Sequence, residues 1–571
     1  MAEDFKFIGP YSAYGIAKKY GFKGTEEEWL DSLNGKDGIS SSISIGKVTK
    51  LPSSYNPSVE NSGDEHNAIF DFGIPAPDYS VIDYLVNSLF VAPRTGKVYS
   101  VKIPKFASNQ TTVCDALDDN IGLVCEPSTE EVAGQDDYED IPLFKWYHCN
   151  YKRDEYGHAY PTEIEGMTSG YTTSGNVDVG TIQMVPHVKF VENDDHYVLS
   201  ITDSPKEGFS IWPVAKSNNV EYPYVIHSTY FSVEGDDSNP RSLPGKKIIR
   251  NNSYQNMGTK YGAKGSGYHG AGMERNTWRI LFELVKYKTK SSQTVFPGCT
   301  NWNFQYSAAV KSSEPQSYFP LTNSQAANLE VGGVVSVGYA NQSESLDRGQ
   351  SSVHTYADSV KILSIEDLDG ENKAVYLDCD PFTTEDYTYP DGPTAPITLT
   401  SMHNYTGETD GIIGKHDGQK NANSKWSYRI QGCEYACGGY TVFSDSVIVV
   451  GASNAKNLYM CGANDERKTD VTQIKESFKN VGEMAIDGSN DFWIGDVVID
   501  PETGASYPSV VGSGSSTGVG DRVYAGGDIA ENSTREWLNG GSLWDVSNAG
   551  SSFLHCWIGL SSAGWDCLAA D

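Results

Sequence analysis

Phe553-Leu554-His555-Cys556-Trp557-Ile558-Gly559-Leu560 decides how the chain is to be read. Its pattern has period two, the side-chain repeat of a β-strand. Leu554, Cys556, Ile558 and Leu560 fall on one face, and Phe553, His555 and Trp557 on the other. The aliphatic face belongs in a core. The second face carries rings with polar handles, the side chains that binding hot spots favour, so it is expected to look outward.

Neighbouring segments extend that surface. Ser561-Ser562-Ala563-Gly564 reads as a turn that presents Trp565 and Asp566. Trp544-Asp545-Val546-Ser547-Asn548 is a second loop of the same character. The candidate ligand-binding residues are therefore Trp544, Asp545, Ser547, Asn548, Phe553, His555, Trp557, Ser562, Trp565 and Asp566. Further upstream, Trp278, Leu281, Phe282 and Val285 stand at i, i+3, i+4 and i+7, which predicts a helix with Asn276 as N-cap. Arg279, Glu283 and Lys286 fall on its other side. One packed helix followed by strands and long Gly/Ser/Asp loops describes a β-rich α+β domain over residues 205–571.

Residues 95–204 read as a β-rich middle domain. Pro142 to Tyr151 alternates as a strand turned at 154–157, and 187–191 with 197–201 forms a hairpin around Asn193-Asp194-Asp195. Residues 39–94 read as a β-structured trimerisation or linker segment. There Ile69, Asp71 and Gly73 alternate with Phe70, Phe72 and Ile74, and so small a unit must bury its apolar face against symmetry mates. Residues 1–38 form a helical attachment module: a short helix over 12–20 stopped at Gly21, then a capping box at Thr25-Glu26-Glu27-Glu28.

Composition narrows the partners. Asp and Glu number 75 against 43 Lys and Arg, a net charge of −32. Such a surface repels phosphate backbones and anionic lipid, so neither nucleic acid nor a membrane is an expected partner. No apolar run reaches the roughly 18 residues of a membrane span, and the first residues lack the pattern of a secretory signal. Ten scattered cysteines fit folding in a reducing cytoplasm.

Two resemblances add to this. Gly9-Pro10-Tyr11-Ser12-Ala13-Tyr14 through Gly21-Phe22-Lys23-Gly24-Thr25-Glu26-Glu27-Glu28-Trp29-Leu30, ending Gly35-Lys36-Asp37-Gly38, resembles a module of phage tail-fibre and baseplate proteins. Gly46 to Pro52 and Asn67 to Pro75 are similar to β-units beside that module. The resemblance implies a virion protein, attached to the phage tail or baseplate through its N-terminus and assembled as a homotrimer. Gly270-Ala271-Gly272, the helix Trp278 to Tyr287, Gln293 to Gly298 and the glycine- and tryptophan-rich stretch from Gly540 to Ala570 resemble C-type-lectin-like domains of the formylglycine-generating-enzyme type. That likeness implies recognition of a bacterial surface glycan or protein by the final strands and loops, outside the cell.

Enzyme signatures are sparse. The acidic pairs Asp118-Asp119, Asp136-Asp137, Asp194-Asp195 and Asp236-Asp237 adjoin turn residues and read as solvated. Cys433 and Cys437 lack the further ligands of a zinc site and could form a disulfide. Asp367-Leu368-Asp369-Gly370-Glu371-Asn372 reads as a hairpin turn rather than a calcium loop. Gly514-Ser515-Ser516-Thr517-Gly518 lacks the strand–helix frame of a nucleophile elbow. The expectation is a non-enzymatic adhesin without a required cofactor, calcium being the one ion left open. Two rivals stand beside it: a tailspike-like polysaccharide depolymerase and a structural baseplate component.

Overall fold

The computed structural model describes residues 12–34, 41–51, 57–75, 80–105, 113–342, 348–462, 466–486, 490–543, 545, 550, 552, 554–564 and 567–568. They fall into two compact units, residues 1–80 and 81–571. The protein is β-rich with a minority of helix.

In the first unit helix α1 (Ala13–Lys19) starts at Ser12, whose hydroxyl accepts from the Gly15 amide. Helix α2 (Glu26–Leu33) begins with the anticipated reciprocal cap between Thr25 and Glu28. Tyr14 ties the two together: its hydroxyl donates to the Gly24 carbonyl at 2.9 Å, and its ring lies 5.9 Å from Trp29. A three-stranded sheet follows. Asn67–Pro75 lies in the middle, parallel to Ser42–Leu51 and antiparallel to Ser58–Asn61. Register places Ile43, Ile45, Val48, Val59, Phe70 and Phe72 on one face. That apolar face exists as the alternation predicts, but it is not buried. Ile43 is 79% exposed and Ile45 74%, and no described side chain of this unit is fully buried.

The second unit opens with a helix that the β reading of 39–94 did not anticipate, α3 (Val81–Phe90). Ile82, Leu85, Val86 and Leu89 recur at helical spacing and pack with Phe90 on a four-stranded sheet. That sheet runs Tyr224–Ser228, Asp178–Met184, Trp146–Arg153, Ala159–Ile164. The predicted 187–201 hairpin belongs to a five-stranded sheet beside it in sequence. One core draws Tyr99, Leu199, Trp278, Phe282, Tyr428 and Ile499 together, so residues on both sides of position 204 share it. A six-stranded sheet from Gln305 to Ser401 has a core of its own around Trp302, Phe319 and Leu399. The largest sheet has nine strands, among them Lys456–Met460, Tyr440–Val450, Thr534–Asn539, Leu554–His555, Arg522–Tyr524 and Asp491–Asp500 in that spatial order.

Between these layers runs the predicted helix. After α4 (Tyr254–Gly262), α5 covers Met273–Phe282 and continues as a π-turn, Glu283–Tyr287. It begins four residues earlier than Asn276 would have it. Gly272 is the N-cap, and the Met273 amide donates instead to Asp445, 2.8 Å away and far off in sequence. Asn276 sits within the helix, where its side-chain oxygen accepts from Arg279. The polar side is not solvated either. Every residue from Met273 to Lys286 is buried, and Arg279, Glu283 and Lys286 find their partners internally. Arg279 pairs with Glu283. Lys286 meets Asp417 at 2.7 Å and Asp136 at 3.0 Å, so Asp136, expected at a solvated turn, is a buried ion-pair partner. The other acidic turns stay open to solvent at Asp119, Asp194 and Asp236. Among the described residues no helix is long and apolar enough to cross a membrane.

Candidate functional site

The stretch from Leu554 to Leu560 departs from a single exposed-faced strand. Only Leu554–His555 is strand, and it lies mid-sheet, antiparallel to Thr534–Asn539 and parallel to Arg522–Tyr524. Leu554, Cys556 and Leu560 are buried, as the aliphatic face required. His555 is buried too, against expectation, because three aromatic rings close over it. Tyr440 lies 5.2 Å away, Tyr524 stacks at 5.4 Å and Trp557 stands at 5.8 Å. Burial opposes the charged imidazolium and pushes the His555 pKa down to about 3. Trp557 is the member that reaches the surface, at 46% exposure. Gly526, at φ +72°, lies against it, and a Cβ there would collide with the Trp557 side chain.

Asp545 joins this cluster through Tyr440, whose hydroxyl donates to the Asp545 carboxylate at 2.6 Å. The amide of Ser542 donates to the same carboxylate at 3.0 Å. The structure thus collects Asp545, His555 and Trp557 into one patch with Tyr440 and Tyr524, neither of which the sequence singled out. Ser562 is half-buried, its amide donating to the Gly559 carbonyl in the turn after the strand. Trp544, Ser547, Asn548, Phe553, Trp565 and Asp566 lie outside the described residues.

No family model matches the chain, and no curated protein is similar to it. The chemistry of its sites is therefore read from geometry alone.

A concavity lies at the N-terminus of α5, between the four- and nine-stranded sheets, with a volume of about 380 Å³. His227 lines it, with Nε2 2.9 Å and 3.0 Å from the two oxygens of Glu274. The Trp212 indole N–H also donates to Glu274. A carboxylate only accepts, so the His227 Nε2 carries a proton and donates to Glu274. His158 and His269 stand in the same wall, and burial depresses both, His158 to about 4. Sequence reading missed this cavity because its walls come from segments scattered between Arg153 and Thr503.

One group of possible metal ligands occurs among the described residues: Cys125, Asp136 and Asp417. The Lys286 ammonium already neutralises the two carboxylates, and Gln431 accepts from it at 3.1 Å. A cation would have to displace a buried lysine, so the donor set fits an internal ion pair better than a metal centre. All ten cysteines are free, Cys433 and Cys437 included. Asp369 closes a hairpin turn between Ala357–Asp367 and Asn372–Leu377, as predicted, accepting from the amides of Glu371 and Asn372.

Proposed function

We propose that the chain is a receptor-binding protein of a phage tail fibre or tail tip, a non-enzymatic adhesin that recognises a bacterial surface glycan or protein. The observation that carries this reading is the aromatic patch: Trp557 stands half-exposed against half-buried Tyr524 and buried His555, and Tyr440 with its partner Asp545 continues the cluster on the far side of His555. An exposed ring fixed against its aromatic neighbours offers a stacking face, which suits a sugar ring. In this reading the later part of the second unit is a C-type-lectin-like module that shares a core with residues before position 204, acting outside the host after release in the virion. The exposed face of Ile43, Ile45, Val48 and Val59 supports assembly through the first unit, as a homotrimer attached to the tail or baseplate. Three copies would multiply a modest affinity per site.

The test is adsorption by particles carrying Trp557→Ala. The expected result is reduced adsorption with melting temperature and oligomer mass unchanged. Undiminished adsorption would turn the reading towards a structural baseplate part. Sustained release of reducing ends from host polysaccharide would replace the adhesin with a depolymerase.

A further inference from the structure

We infer that the cavity at the N-terminus of α5 binds a sugar-sized organic anion, at a site separate from the aromatic patch. The inference stands on different residues from the receptor-binding reading and does not depend on it. Charge gives the first argument. In a chain with 75 acidic and 43 basic residues, two arginines that meet no carboxylate among the described residues line this one space. Arg275 is 4% exposed; its Nη2 donates to the carbonyls of Ser228 and Glu434, and its charge rests on the ring of Tyr435 at 4.4 Å. Arg153 donates to the Gly157 carbonyl at 2.8 Å. Neither meets a carboxylate within ion-pair distance among the described residues. A buried guanidinium held by carbonyls retains unneutralised charge, and an incoming anion can form charge-assisted hydrogen bonds with it.

The acids in the same wall do not cancel this. Glu274 is engaged by His227 and Trp212. Asp445 faces the first amide of α5, and Glu502 meets Lys479 at 3.1 Å. Size and lining give the second argument. About 380 Å³ holds a single sugar or a molecule of that bulk, and Val225, Ile226 and Met460 supply an apolar side. The site therefore calls for an anionic group on the arginines and a carbon skeleton against the apolar side.

Calorimetric titration of the full chain tests this with three probes: glucuronate, glucose 6-phosphate and glucose. The expected result is binding of at least one acid and none of glucose. Which acid binds separates a carboxylate ligand from a phosphate ester. Arg153→Gln is expected to weaken that binding about tenfold, equivalent to about 1.4 kcal/mol. Should Arg153→Gln fail to fold, Arg467→Gln, half-buried in the same wall, replaces it with the same expectation. Glucose binding as tightly as the acids, no acid binding at millimolar concentration, or undiminished binding by the folded variant would each overturn the proposal.

Discussion

His555 and Trp557 sit two residues apart, yet the structure gives them opposite duties. His555 fills space beneath three rings, so His555→Ala is expected to lower stability by about 2–4 kcal/mol, as other large-to-small changes in a core do. Trp557→Ala, at a half-exposed position, should change stability by about 1 kcal/mol or less. Chemical denaturation of the two variants separates them. Glu536, on the neighbouring strand, makes a second prediction. Its carboxyl is buried and accepts from the Tyr254 amide, while its other oxygen has no partner. Desolvation raises its pKa to about 8 from an ordinary 4.5. The folded state thus holds a proton that the unfolded chain releases above pH 4.5. The corresponding stability is complete below that pH and is lost as pH rises towards 8. Glu536→Gln should flatten this slope, melting close to the parent at pH 4 and above it at pH 8. Asp445, raised to about 6 by burial, and Glu434, raised to about 8, act in the same direction.

At the scale of single elements, α5 and its π-turn carry charge through the middle of the second unit. Lys286→Met keeps the bulk but strands Asp136 and Asp417, and should cost about 3–5 kcal/mol. Adding Asp417→Asn should recover part of that loss, a coupling that a double-mutant cycle of unfolding free energies would read. This helix also shows what sequence could disclose. Its apolar spacing found the element, because the rule concerns residues a turn apart. Its start was misplaced because the cap comes from Asp445, which no local pattern reveals. The burial of its charged side could not be read, because Asp136 and Asp417 lie far away in the chain. The Thr25 cap, by contrast, is wholly local and was legible in full. Helix α3 had an equally local signal in Ile82, Leu85, Val86 and Leu89, obscured by the β-like segment before it. Of the candidate site, the exposure of Trp557 and the burial of Leu554 and Cys556 could be read from alternation. The fate of His555 could not, since its covering rings come from Tyr440 and Tyr524.

For the molecule as a whole, the division at Ser80 and Val81 sets two expectations. Residues 81–571 produced alone should fold, with a melting transition like that of the full chain, and should be monomeric. The full chain should sediment as an oligomer. Ile45→Glu, which places a charge on the apolar face of the small sheet, should bring it back to one subunit without altering the main transition. Analytical ultracentrifugation with calorimetry tests both.

The mid-sheet place of Leu554–His555 has a consequence for synthesis. Arg522–Tyr524 and Thr534–Asn539 are made first, yet each has an edge reserved for a strand that emerges later from the ribosome. Until that strand arrives, backbone donors and acceptors on both edges stay open to water or to the wrong partner. Nascent chains that stall before residue 554 are left with a split sheet. Such products should bind chaperones, aggregate or be degraded, so that intact copies alone proceed to assembly.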